Sequence, residues 1–123
     1  MTDKIDWATM VETISPATFI TPASGWTVLA GECYLRKMGR LIFGTLVLRK
    51  DTAIASTLQE TAGDIAAEYR PDAIVNTFGA SGTGAYSVTA PLYAYFGNTG
   101  LIVRAVSGST DKVAKVNFCY ATN

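Results

Sequence analysis

The chain has 123 residues, with ten Lys plus Arg against ten Asp plus Glu; 16% of its residues are charged and 49% are hydrophobic. That length suits a single domain able to bury about two-thirds of the surface its unfolded chain exposes, and a zero balance with no basic run excludes the positive footprint that nucleic-acid binding needs. Charge is scarce against the roughly 25% of an average soluble domain, so part of the surface is expected to be hidden in an oligomer.

The first four residues, Met1-Thr2-Asp3-Lys4, lack the charged-then-apolar order of a secretion signal. Residues 1–15 read as a short helix. Thr2 or Asp3 caps it, Asp6 places negative charge in its first turn, and Trp7, Met10, Val11 and Ile14 share one face. Ser15-Pro16 ends it, because the residue before a proline avoids helical angles. So short a helix needs a surface to pack on, and serves as a neck or docking arm.

After Pro16 the pattern is β. Ala17 to Thr21 reads as a short strand, and Trp26 to Lys37 and Arg40 to Arg49 as two long ones around the turn at Met38-Gly39-Arg40. Both long strands carry apolar residues on both faces, the mark of a strand covered twice. Asp51 to Ala62 is a loop or one helical turn. Asp64 to Glu68 and Ala73 to Thr77 are short strands flanking Tyr69-Arg70-Pro71, and Phe78 to Gly84, with three glycines, is a flexible turn. Ala85 to Phe96 is a long strand with Pro91 at a bulge or an edge, and Gly97-Asn98-Thr99-Gly100 is a hairpin turn. Leu101 to Val106 and Val113 to Ala121 close the series, with Ser107 to Lys112 between them. About eight strands with short turns predict an all-β, jelly-roll-like antiparallel β-sandwich over residues 16–123. The uncharged window from Ala73 to Val103 is longer than a membrane span, but its glycines and Pro91 make it strands and turns, so no membrane insertion is expected.

No catalytic constellation emerges, and the chain is not expected to be an enzyme. Gly79 to Gly84 resembles a phosphate loop superficially, but a strand follows it where a helix is needed. There is no histidine, which removes the Ser-His-Asp triad and the usual near-neutral base. Neither Cys33 nor Cys119 has a second cysteine at ligand spacing, so no metal or other cofactor is expected. The two cysteines read as small buried apolar side chains, or as a disulfide if their strands are neighbours. Aromatics are the better lead. Tyr86, Tyr93, Tyr95 and Phe96 share one strand, with Tyr93 and Tyr95 on the same face. Such rings suit the C–H faces of sugars, and equally fill cores and interfaces.

Four segments, in this order and spacing, carry a family resemblance over residues 25 to 121. They are Gly25-Trp26-Thr27; Tyr34-Leu35-Arg36-Lys37-Met38-Gly39-Arg40-Leu41-Ile42; Tyr69-Arg70-Pro71; and Gly100-Leu101-Ile102-Val103 followed by Val116-Asn117-Phe118-Cys119-Tyr120. The chain resembles the C-terminal head domains of bacteriophage tail-fibre and baseplate receptor-binding proteins. It departs from their pattern at Ile65-Ala66-Ala67-Glu68, where such heads carry Leu-Pro-x-Gly. The resemblance implies a homotrimer of jelly-roll heads in the virion tail or baseplate, assembled in the host cytoplasm. It would bind host cell-surface saccharides and join other virion proteins through the N-terminal segment. Alternatives are a structural baseplate or decoration piece with no receptor site, and a cellular trimeric jelly-roll lectin. For a saccharide site the expected residues are Tyr69, Arg70 and Asp72, which group a ring, a planar cation and a carboxylate, and Tyr93, Tyr95 and Asn98 along one strand and its end.

Overall fold

The computed structural model describes residues 10–84 and 87–122. Among them the apolar alternation resolves into ten strands: β1 (Val11–Thr13), β2 (Ile20–Pro22), β3 (Trp26–Val28), β4 (Tyr34–Met38), β5 (Leu41–Lys50), β6 (Glu60–Ile65), β7 (Val75–Gly82), β8 (Ala90–Phe96), β9 (Gly100–Ala105) and β10 (Val113–Ala121). One helical turn, α1 (Pro16–Phe19), joins β1 to β2. All pairings are antiparallel, in the order β1-β4-β5-β10-β7-β8-β9-β6-β2. β3 shares one edge of β5 with β4: β4 pairs the first half of β5, and β3 pairs its last three residues. The expected all-β, sandwich-like class holds, built as one curled sheet.

The curl follows from where side chains meet. β10 alternates cleanly, with Val116, Phe118 and Tyr120 inward and Asn117, Cys119 and Ala121 outward. Phe19, at the end of α1, stacks 5.6 Å from Phe118 although α1 lies between the sheet's two edge strands and β10 lies near its middle. Phe96 of β8 meets both Phe118 (4.9 Å) and Tyr120 (5.2 Å). The Tyr120 hydroxyl donates to the carbonyl of Tyr69 at 2.5 Å, and burial pushes its pKa well up. On the other side of the barrel-like curl, Glu60 of β6 accepts the indole N–H of Trp26 in β3 and pairs with Lys50 of β5. Strands far apart in the sheet therefore face one another across a single apolar interior.

Several expected elements differ, each for a physical reason. The expected helix over residues 1–15 lies outside the described residues up to residue 9, Trp7 included. Val11, placed on its apolar face, instead pairs together with Glu12 and Thr13 along Arg36–Met38 of β4 as an edge strand. Val11 and Thr13 are β-branched, and a ready ladder outweighs a weak helical preference. Residues 17–19, expected as strand, make a helical turn. Pro16 sets its first φ, and the carbonyl of Ser15 accepts from Thr18 and Phe19.

Trp26 to Lys37 is not one strand: Ala30–Glu32 bulge out as a 3₁₀ turn. The backbone of Val47 is served there by other groups. Its carbonyl accepts the Leu29 amide at 2.9 Å, and its amide donates to Cys33 Sγ at 3.3 Å. Cys33 is half-buried, and burial raises its thiol pKa, opposed by the Val47 amide and reinforced by Glu32. Nearby, Gly44 sits at φ +150°, where a Cβ would run into the carbonyl of Tyr34, so only glycine fits.

The glycine-rich stretch expected to be a flexible turn is strand as far as Gly82. Gly79 lies against its neighbours so closely that a Cβ would stand 2.8 Å from the Lys115 carbonyl and 3.2 Å from Leu92. Close packing, not flexibility, is what this glycine serves. The strand expected over Asp64 to Glu68 ends at Ile65, and Ala67–Tyr69 form a 3₁₀ turn. The thiols are both free, and Cys119 is exposed on the outer face rather than buried.

Candidate functional site

Among the described residues, the outer face of β7, β8 and β9 carries a groove. Inward positions of β8 are taken by Leu92, Ala94 and Phe96, so the period of two turns Pro91, Tyr93 and Tyr95 outward. Register then sets the neighbours: Tyr93 lies opposite Arg104 of β9, and Tyr95 lies between Asn76 of β7 and Ile102 of β9. Tyr93, Tyr95, Asn76 and Arg104, together with Gln59 just before β6, wall a depression of about 440 Å³. A second depression of about 220 Å³, lined by Ser56 and Ser107, shares Tyr93 and Arg104 as its wall. The two depressions therefore adjoin across one aromatic–cation pair.

The geometry of that pair is specific. The Arg104 guanidinium carbon stands 4.6 Å from the centroid of the Tyr93 ring, within cation–π range. Tyr93 nonetheless keeps 59% of its surface exposed, leaving most of its ring open to solvent. Among the described residues, Arg104 Nε is buried and finds no hydrogen-bond acceptor. The Tyr95 hydroxyl donates to Gln59 Oε1 at 3.1 Å, which steadies the opposite wall. No acidic residue lines either depression. The site thus offers an open ring, a guanidinium with no ion pair among the described residues, and the amides of Gln59 and Asn76. These groups suit a ligand with an apolar face and polar substituents.

The six residues expected from sequence are split by the fold. Tyr93 and Tyr95 come together in the groove. Tyr69, Arg70 and Asp72 lie between β6 and β7 and have other partners. Tyr69 packs 5.7 Å from Phe19 against the core, and its hydroxyl pKa is raised by burial, then by Glu68 and Glu12. Arg70 Nε donates to the Ile65 carbonyl at 2.8 Å, and Asp72 pairs with Arg40 at 3.3 Å. Asn98 is exposed in the β8–β9 turn and does not line the groove. Tyr86, placed on the same strand, lies outside the described residues. Arg104, Asn76 and Gln59 were missed, since they reach Tyr93 and Tyr95 only through the strand order β7-β8-β9 and the loop before β6.

Other clefts offer less. One of about 380 Å³ beside β2 and β3 is walled by Pro16, Ile20, Pro22 and Val28, with little to orient a polar ligand. Ser81 Oγ donates to Asp111 Oδ2 at 2.7 Å, but both residues are buried and tie β7 to the loop before β10. Among the described residues, no group of three or more His, Cys, Asp or Glu is placed to hold a metal ion. No helix among them is long and apolar enough to cross a membrane. No protein-family model matches the chain, and no curated protein matches it.

Proposed function

We propose that the chain is a receptor-binding head domain of a bacteriophage tail fibre or baseplate, which attaches as a homotrimer to saccharides on the host cell surface. The observation that carries this reading is the groove on β7–β9, where an open Tyr93 ring is held beside Arg104 and flanked by Tyr95, Gln59 and Asn76. Sugar rings lay their C–H faces on such aromatics and use amides and cations for their hydroxyls. The sequence resemblance over residues 25 to 121 and the all-β frame support the same reading. In a glycan-array or host-cell adsorption assay, Tyr93→Ala is expected to weaken binding at least about tenfold, or about 1.4 kcal/mol. Its thermal unfolding should match that of the parent, because the ring is exposed. Unchanged adsorption by a folded Tyr93→Ala variant would move the site elsewhere.

Trimerisation rests on a second surface. The outer face of β1, β4, β5 and β10 carries a cross-strand row of Val11, Met38, Leu41 and Ala121. Beside it run Thr13, Arg36, Phe43 and Cys119. Subunits related by closed cyclic symmetry would bury this apolar row. Light scattering of the purified chain is then expected to give three times its 13.1 kDa. The Cys119 thiol should be alkylated slowly in that species and quickly once it is diluted into subunits. A 13.1 kDa particle at micromolar concentration, with Cys119 reacting at once, would rule the trimer out. A stable trimer that binds no saccharide would instead favour a structural virion piece.

A further inference from the structure

We infer that the groove selects an anionic saccharide, one whose carboxylate or phosphate pairs with Arg104 while its ring lies on Tyr93. The inference rests on the saccharide reading above and adds the charge of the ligand. Compare two of the partly buried cations. Lys50 is matched by Glu60 at 2.8 Å, with both side chains about one-fifth exposed. The Arg104 side chain has no hydrogen bond or ion pair with any described residue, and its partner is the face of an aromatic ring. Its Nε–H is buried with no acceptor and out of a ligand's reach, while its terminal nitrogens are not buried and have no acceptor among the described residues, so they are the ones left for a ligand.

A neutral hydroxyl could accept from those terminal N–H groups. It could not balance the charge, and the groove holds no carboxylate of its own to do so. A carboxylate or phosphate supplies both. Its oxygens match the planar fork of a guanidinium, and such charge-assisted bonds are about twice as strong as neutral ones. Tyr93 helps by holding the guanidinium in place before the ligand arrives, so less side-chain freedom is lost on binding. Tyr95 is tied to Gln59, which keeps the far wall neutral and polar. The site therefore reads as an aromatic platform with one fixed positive corner.

The test is calorimetric titration of the purified full chain with three probes of matched size: a galacturonate oligosaccharide, a phosphorylated galacto-oligosaccharide and the unmodified neutral oligosaccharide. The expected result is that at least one anionic probe binds about tenfold or more tightly than the neutral one. Raising salt from about 0.05 to about 0.5 M should erode that margin and leave neutral binding in place. The carboxylate and phosphate arms tell the two sources of charge apart. Arg104→Gln should abolish the margin, and Arg104→Lys should keep part of it, with unfolding curves confirming that each variant is folded. If Tyr93-dependent binding of the neutral probe equals that of both anionic probes, the anionic inference is wrong and the saccharide reading stands. The anionic inference is equally wrong if a folded Arg104→Gln keeps the margin. If none of the three probes binds, the saccharide reading fails and takes this inference with it.

Discussion

Phe96→Ala is expected to destabilise the fold by about 3–5 kcal/mol, the range for truncating a fully buried aromatic ring. Phe96 has no exposed surface and is the meeting point of the aromatic core, touching Phe118 and Tyr120 of β10 from β8. Phe118 in turn stacks on Phe19, so the ring also supports the turn that links the sheet's two edges. Its removal leaves a cavity that rigid β neighbours cannot close, since Val75 and Leu101 are fixed opposite it by ladder bonds on both sides. Denaturant titration should show a lower midpoint with an unchanged slope. Tyr93→Ala, three residues along the same strand but outward, should cost less than about 1 kcal/mol. Equal losses at the two positions would mean that the inside and outside of β8 have been misassigned.

Glu60→Gln is expected to cost about 2–4 kcal/mol, somewhat under the figure for a fully buried ion pair because a fifth of each side chain remains exposed. The carboxylate of Glu60 serves three partners. Oε1 accepts the Trp26 indole N–H at 3.3 Å, Oε2 accepts the Ala55 amide at 2.7 Å, and both oxygens lie within 2.9 Å of Lys50 Nζ. These contacts join β6 to β3, β5 and the loop before β6, across the open side of the curl. An amide at this position offers one acceptor where the carboxylate had two, and leaves the ammonium of Lys50 without its counter-charge. Replacing both members, Lys50→Met with Glu60→Met, should cost less than Glu60→Gln alone, since no unpaired charge then remains. A double variant as unstable as the sum of its singles would show that the pair is not coupled.

What could be read in the sequence was whatever depends on local period and turn chemistry. β5, β9 and β10 were expected at nearly their observed bounds, because alternation and the turns at Gly39 and Gly97 to Gly100 announce them, whereas the strand expected from Ala85 starts only at Ala90, residues 85–86 lying outside the described residues. The missed features depend on pairing between distant segments. Nothing near Val11 declares that β4 will offer it an edge. The break at Ala30–Glu32 becomes tolerable only because the Cys33 thiol can stand in for a ladder acceptor to Val47. Gly79 looks like flexibility until Lys115 and Leu92 are seen pressing against it. The site divides the same way. Tyr93 and Tyr95 share a face by alternation, whereas Arg104, Asn76 and Gln59 join them through register and a loop. Tyr69, Arg70 and Asp72 are neighbours in sequence, but the fold turns each to a different partner.

The position of β10 bears on how the chain is made. This strand is laid between β5 and β7, and its residues 113–121 leave the ribosome after every other described strand. Until they emerge, β5 and β7 each present an unpaired edge, and Phe19 and Phe96 lack the rings of Phe118 and Tyr120 that cover them. A nascent chain stalled before Val113 would therefore hold two sticky strand edges and a half-built interior, the state most open to chaperones, proteases and wrong partners. The sheet can close only once residues 113–121 are free to pair, and a copy lacking them is expected to keep the β5 and β7 edges exposed.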